Sequence, residues 1–160
     1  MARNFAQRFN HRYGEIFPMP FAFNYGGELV KILSLDGNGK MSKSENQNAT
    51  LYLADEDDVI RKKVMKTKTD AGPTEQNSAK PDYIENIFGL MKLVSAEDVI
   101  KKFEEDYNTC TIRYGDMKKQ LAEDMVNFIS PIRNKVNAIL NDEKYLKEVM
   151  EKGAAKANTS

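Results

Sequence analysis

Asp36-Gly37-Asn38-Gly39-Lys40-Met41-Ser42-Lys43-Ser44 follows closely on the apolar run Leu29-Val30-Lys31-Ile32-Leu33. Two lysines and two hydroxyls crowd behind a pair of glycines. Glycine reaches backbone angles closed to other residues, so Gly37 and Gly39 let the chain turn sharply and approach a ligand. Lys40 and Lys43 carry point charges on flexible stems, while Ser42, Ser44 and nearby backbone N–H groups add short, directed hydrogen bonds. A strand that empties into such a loop suits phosphate. Groups of this kind accelerate a reaction when they bind developing negative charge better than the ground state.

The nucleotide-binding P-loop is the first template to test, and it fails twice. It requires glycine at position 34 and Ser or Thr at position 41, where this chain has Ser34 and Met41. Lys40 to Ser44 instead matches, letter for letter, the KMSKS signature of class I aminoacyl-tRNA synthetases. By average residue usage such a match arises by chance in roughly one chain in ten thousand of this length, which favours a family mark over a solvated Lys/Ser loop. The flanks narrow the family. Ala2-Arg3-Asn4-Phe5-Ala6-Gln7-Arg8-Phe9-Asn10, Arg12-Tyr13-Gly14-Glu15, Ile60-Arg61-Lys62-Lys63-Val64, Thr69-Asp70, Tyr114-Gly115-Asp116-Met117-Lys118-Lys119, Pro131-Ile132-Arg133 and Gly153-Ala154-Ala155-Lys156-Ala157 resemble, in this order, segments of bacterial-type tryptophanyl-tRNA synthetases. They favour the tryptophan family over its tyrosyl-specific relative.

A full member of that family opens with a nucleotide-binding fold carrying a His-x-Gly-His motif, followed by the pocket for tryptophan. The single histidine here, His11 in Asn10-His11-Arg12, does not form that motif. The resemblance therefore covers the C-terminal half, and a truncated form with Met1 supplied for expression is expected. The fold it implies is mainly α: an anticodon-binding-like helical bundle, residues 71–160, attached to a remnant of an α/β Rossmann-type catalytic domain, residues 1–70.

The resemblance also implies the chemistry. ATP activates tryptophan to its adenylate with loss of pyrophosphate, and the aminoacyl group passes to tRNA(Trp). Lys40 and Lys43 would be the catalytic residues, and the ATP site would comprise Ile32, Lys40, Met41, Ser42, Lys43 and Ser44, with the backbone near Ile32 beside the adenine. Mg²⁺ would be carried by the nucleotide, in keeping with its preference for phosphate and water ligands. The full enzyme is expected to be a cytoplasmic homodimer, and this fragment alone is expected to be inactive. Tyr107, Arg113, Tyr114, Lys118 and Lys119 are of the residue types that stack on or hydrogen-bond unpaired bases. Two alternatives stand beside this reading, a non-catalytic helical RNA-binding module and a tyrosyl-specific relative.

Composition sets bounds of its own. The chain has 160 residues, 41% hydrophobic and 30% charged, with 24 basic and 24 acidic side chains. Zero formal charge argues against indiscriminate binding to nucleic acid, which rests on many phosphate contacts, so any RNA contact must come from local arrangement. No apolar run approaches the length of a membrane span and no signal-peptide pattern opens the chain, so an intracellular protein is expected. Cys110 has no partner for an internal disulfide, and it reads as a plain structural thiol. One Cys and one His cannot build a structural zinc site without carboxylates.

Outside the loop the patterns are helical. Phe5, Ala6 and Phe9 are spaced for a helix from Ala2 to Tyr13, with Gly14 as its C-cap and His11 on the surface. Phe17-Pro18-Met19-Pro20-Phe21 must be extended, Gly26-Gly27 turns the chain, and a strand is expected from Glu28 to Leu35. Asp55-Glu56-Asp57-Asp58 opens a helix that ends in lysines, a polarity that suits the helix dipole. Residues 69–80 read as a loop and boundary. Pro81 should start the next helix, with Ile84, Ile87, Phe88, Met91 and Val94 as its stripe. Ser95-Ala96-Glu97-Asp98 resembles a capping box ahead of Val99, Ile100, Phe103 and Tyr107. The longest stripe is Met117, Leu121, Met125, Phe128, Ile132, Val136 and Ile139, kinked at Pro131. A last helix carries Tyr145, Leu146, Val149 and Met150. These stripes read as the core of a bundle.

Overall fold

The computed structural model describes residues 1–23, 32–37, 39–44 and 46–159. Two compact units are present, residues 1–30 and 31–160. Among the described residues the regular elements are all helical: α1 (Ala2–Tyr13), α2 (Asp57–Met65), α3 (Asp82–Val94), α4 (Glu97–Asn108), α5 (Tyr114–Leu140) and α6 (Glu143–Asn158). A 3₁₀ turn spans Gln47–Ala49.

The first unit is α1 and the chain that folds back on it. Gly14, at φ +90°, ends the helix and returns its N–H to the Asn10 carbonyl. The Asn10 side chain fixes the return: its carboxamide oxygen accepts from the N–H groups of Ile16 and Phe17, and its Nδ2 donates to the Phe17 carbonyl at 2.7 Å. That closure brings Phe5, Phe9 and Phe17 into mutual ring contact at 4.8–5.9 Å. His11 is exposed, as a surface residue should be.

In the second unit the core forms where α2 and α3 pack on α5, with α4 against α3. Ile60, Val64, Ile84, Ile87, Phe88, Met91, Met117 and Leu121 are essentially inaccessible to water. Helix α2 packs chiefly on α5. A helix of nine residues does not stand alone in water, and α2 is held by three devices. Ile60 and Val64 supply the buried face. Arg61 reaches Glu123 of α5 with two hydrogen bonds of 2.8 and 3.0 Å. Arg133, only 8% exposed, donates to the Asp55 carbonyl and, at 2.6 Å, to the Asp57 carboxylate, which also accepts from Ser130 at 2.7 Å. The hydrogen bond from Arg133, then that from Ser130, hold the Asp57 carboxyl below the usual aspartate range.

Several sequence expectations change here. Residues 28–31 of the expected Glu28 to Leu35 strand lie outside the described residues, as does the Gly26-Gly27 turn. In the described part there is no strand, only an isolated antiparallel bridge between Leu33 and Lys40. With a single pairing partner, supplied by its own loop, the segment cannot extend a ladder. Ser95 does not cap α4: Ala96 is the N-cap, and the Ser95 hydroxyl instead donates to Asp124 of α5 at 2.6 Å. Cys110, read as a plain structural thiol, is exposed. Its left-handed backbone, φ +60°, terminates α4 with its N–H on the Tyr107 carbonyl. The α5 stripe is buried through Met125, but Phe128, Val136 and Ile139 are 52%, 46% and 42% exposed, and α6 buries none of its residues. Helix α5 runs from Tyr114 to Leu140 with Pro131 inside it.

Three outcomes follow for stability. Leu121→Ala should lower the unfolding free energy by about 3 kcal/mol in urea titrations, because it leaves a cavity in a closed core. Ile139→Ala, at a half-open position, should cost less than about 1 kcal/mol. Asp57 titrates low only when folded, so its contribution is complete above the unfolded aspartate range and is lost as pH falls through the lower folded value. Asp57→Asn should therefore melt earlier than the parent chain at neutral pH, with the gap closing on acidification. Melting curves followed by circular dichroism from pH 7 to 2 test this; a gap that stays constant with pH contradicts it.

Candidate functional site

The loop from Ile32 to Thr50 begins as a hairpin. The Met41 N–H donates to the Ile32 carbonyl at 3.0 Å and the Ser34 N–H to the Gly39 carbonyl at 3.1 Å, which frames the Leu33–Lys40 bridge. A turn closes it, with the Gly37 N–H on the Ser34 carbonyl at 2.9 Å. Gly37 and Gly39 stand at φ +74° and +85°, angles that glycine adopts without the steric penalty of a side chain. This is the role the sequence suggests for them.

Beyond the hairpin the side chains diverge. Lys40 and Lys43 are exposed, whereas Met41 is half-buried against the hydrophobic core. Ser42 and Ser44 bring their hydroxyls within 3.2 Å of each other. Ile32, 40% exposed, shares an apolar groove of about 280 Å³ with Met41, Leu51, Leu90, Leu93 and Phe128. The six residues expected to hold ATP thus separate into an apolar base, Ile32 and Met41, and a polar crest of two exposed ammonium groups and a hydroxyl pair. Such a crest can hydrogen-bond and neutralise phosphate oxygens.

The return of the loop is anchored by residues that the sequence reading passed over. The buried Thr50 hydroxyl donates to the Ser42 carbonyl at 3.1 Å and is shared with the Asn46 carbonyl at 3.2 Å. The Thr50 carbonyl accepts from Lys63 of α2 at 2.8 Å, and Lys63 also pairs with Asp55 at 2.7 Å. From α3, the buried Asn86 donates to the Ser34 carbonyl at 2.8 Å. In sequence, Asn86 offers one signal: it is an amide inside an otherwise apolar stretch. Thr50 offers none.

Lys63, Lys66 and Lys68, with Asp36, Asn46 and Asn48, line a cleft of about 200 Å³ behind the hairpin. Two of these lysines are already engaged, Lys63 as above and Lys68 over the Tyr83 ring at 4.8 Å. Among the described residues, no three His, Cys, Asp or Glu side chains gather as metal ligands.

The residue types suited to unpaired bases are also sorted by the fold. Tyr107 and Tyr114 belong to the core, and Lys118 is buried with its ammonium on the Thr67 carbonyl at 2.5 Å. Burial lowers the Lys118 pKa and raises that of Tyr114, whose hydroxyl has no hydrogen bond of ordinary length among the described residues. Arg113 and Lys119 are exposed.

Comparison with known proteins identifies the family. Residues 1–130 match the family described as tRNA synthetases class I (W and Y). The tryptophan–tRNA ligase of Porphyromonas gingivalis is 48% identical over 161 residues, covering 100% of this chain and 49% of its own length. A tryptophanyl-tRNA synthetase from Campylobacter jejuni, solved with ADP and tryptophan, superposes with a TM-score of 0.74 at 30% identity, over 98% of this chain and 47% of that one. The tyrosyl-tRNA synthetase of Aeropyrum pernix shares the fold with a TM-score of 0.54 at 24% identity, over 76% of this chain and 38% of that one. The chain spans about half the length of the curated relatives it matches. It belongs to the class I tRNA synthetases of the tryptophan and tyrosine family.

Proposed function

We propose that this chain is the C-terminal part of a tryptophan–tRNA ligase and contributes the pyrophosphate-stabilising loop to its active site. The observation that carries the reading is the crest of the loop: exposed Lys40 and Lys43 beside the Ser42–Ser44 hydroxyl pair, on a hairpin fixed to the helices. Residues 1–70 would be the end of a Rossmann-type catalytic domain, although 31–70 pack with the helices that follow. Residues 71–160 would be the helical domain that meets the anticodon of tRNA(Trp), with exposed Arg113 and Lys119 as candidate contacts.

In this reading the carboxylate of tryptophan attacks the α-phosphorus of ATP and the bond to pyrophosphate breaks. Lys43, with Lys40, meets the charge that builds on the departing pyrophosphate, and the two serine hydroxyls hold the loop closed around it. Ile32 and Met41 form the apolar base beside the nucleotide. Mg²⁺ bound to the triphosphate would offset part of its charge, and the chain's own part would be the lysines and hydroxyls of the crest. No residue of this chain forms a covalent intermediate; the work is positioning and charge stabilisation. The whole enzyme would be a cytoplasmic homodimer. Identity to ligases named for tryptophan favours that substrate over tyrosine.

The chain by itself should show no tryptophan-dependent ATP–pyrophosphate exchange. Mixed with a separately made N-terminal half, it should restore exchange, and Lys43→Ala should reduce the restored rate by about a hundredfold. Halves that associate by sedimentation yet stay inactive would count against the ligase reading. Salt-sensitive, ATP-independent binding to an anticodon stem-loop would then favour a non-catalytic RNA-binding module, and exchange with tyrosine in place of tryptophan would indicate the tyrosyl relative.

A further inference from the structure

Two backbone carbonyls of the loop are held by buried side chains, one from the distant helix α3 and one from the loop's own return, which is itself held from α2. Asn86 is 7% exposed and sits among Ile84, Ile87, Phe88 and Leu90, where an amide is costly unless it is hydrogen-bonded. Its Nδ2 donates to Ser34, 52 residues earlier. Thr50 is 4% exposed, and its hydroxyl donates to Ser42, inside the signature itself. Thr50 is in turn held from α2, through Lys63 on its carbonyl. The front of the loop is thus pinned from α3 and the back from α2. Between the two pinned carbonyls lie Lys40, bridged to Leu33, and the packed Met41, and the exposed Lys43 and Ser44 follow directly on the second.

We propose that Thr50 and Asn86 are positioning residues for the charge-stabilising step, which rests on the reading of function given above. They touch no substrate. They act through the carbonyls of Ser42 and Ser34, so that Lys40 and Lys43 meet the leaving pyrophosphate from one fixed register. Released from either pin, the loop samples several registers and fewer of them place the ammonium groups correctly.

The test uses the chain mixed with the separately made N-terminal half, with association of the halves checked by sedimentation. It compares Thr50→Val, which keeps the shape and removes the hydroxyl, with Thr50→Ser, which keeps the hydroxyl, and adds Asn86→Ala. Thr50→Val should lower kcat for ATP–pyrophosphate exchange by about tenfold, the scale of one hydrogen bond, with KM for tryptophan unchanged. Thr50→Ser should restore kcat to within about twofold. In the chain alone, amide hydrogen exchange at the loop should quicken by about tenfold in Thr50→Val and Asn86→Ala, with the helices unaffected. Should Asn86→Ala fail to fold, the Thr50 pair still decides.

A wild-type mixture that is active together with an unchanged kcat in Thr50→Val, or equal losses in the valine and serine variants, overturns the positioning role and leaves the ligase reading intact. An associated wild-type mixture with no activity removes the ligase reading and the positioning role with it. In that case the loop's amide exchange still shows whether the two pins hold its backbone.

Discussion

The contact of α2 with α5 is the constraint from which the rest follows. Helix α2 has nine residues and two fully buried side chains, Ile60 and Val64, too little to keep a helix formed by itself. Its position is set by α5, through that apolar face and through Arg61–Glu123 and Arg133–Asp57. Once α2 is docked, Lys63 has a fixed origin and can hold the Thr50 carbonyl, and Thr50 can hold Ser42. A salt link between two helices thereby fixes the backbone of a loop that belongs to neither.

Much of this was legible in the residues. The spacing of Ile84, Ile87, Phe88 and Met91, and of Met117, Leu121 and Met125, gave the bundle, because an apolar stripe of helical period is best satisfied by burial against another element. The loop was legible from its letters alone, since two lysines and two serines behind glycines are an unusual local composition. The second half of the α5 stripe misled. Phe128, Val136 and Ile139 have the right spacing, but burial requires an opposing surface, and periodicity is silent about whether one is present. Over its described residues, 32–35, the expected strand reduces to the Leu33–Lys40 bridge for a related reason, because pairing depends on a neighbour.

The anchors of the site were not legible, and the cause is distance along the chain. Asn86 and Ser34 are 52 residues apart, and Arg133 and Asp57 are 76 apart. Neither pairing leaves a periodic or local mark. Ser95 illustrates the competition within one residue. Its spacing ahead of α4 fits a capping box, yet its hydroxyl is taken by Asp124 on another helix. A local rule holds only until the side chain is drawn to a partner from elsewhere in the fold. The same holds for Tyr107, Tyr114 and Lys118, whose chemistry suits RNA but whose places are inside.

The bridge between Leu33 and Lys40 makes the two lysines of the signature unequal partners for a phosphate. Residues opposed across an antiparallel bridge project to the same side of the hairpin, so the Lys40 stem starts from ordered backbone, alongside the half-buried Leu33. Lys43 starts from the exposed apex beyond it. Immobilising a lysine side chain costs about 1.5–2 kcal/mol of conformational entropy, and fixing backbone adds a further 1–2 kcal/mol or so per residue. For Lys40 the backbone share is already met by folding. For Lys43 any remaining freedom of the apex would be given up on engaging an anion, so under the proposed reading its grip would be the more readily released as pyrophosphate departs.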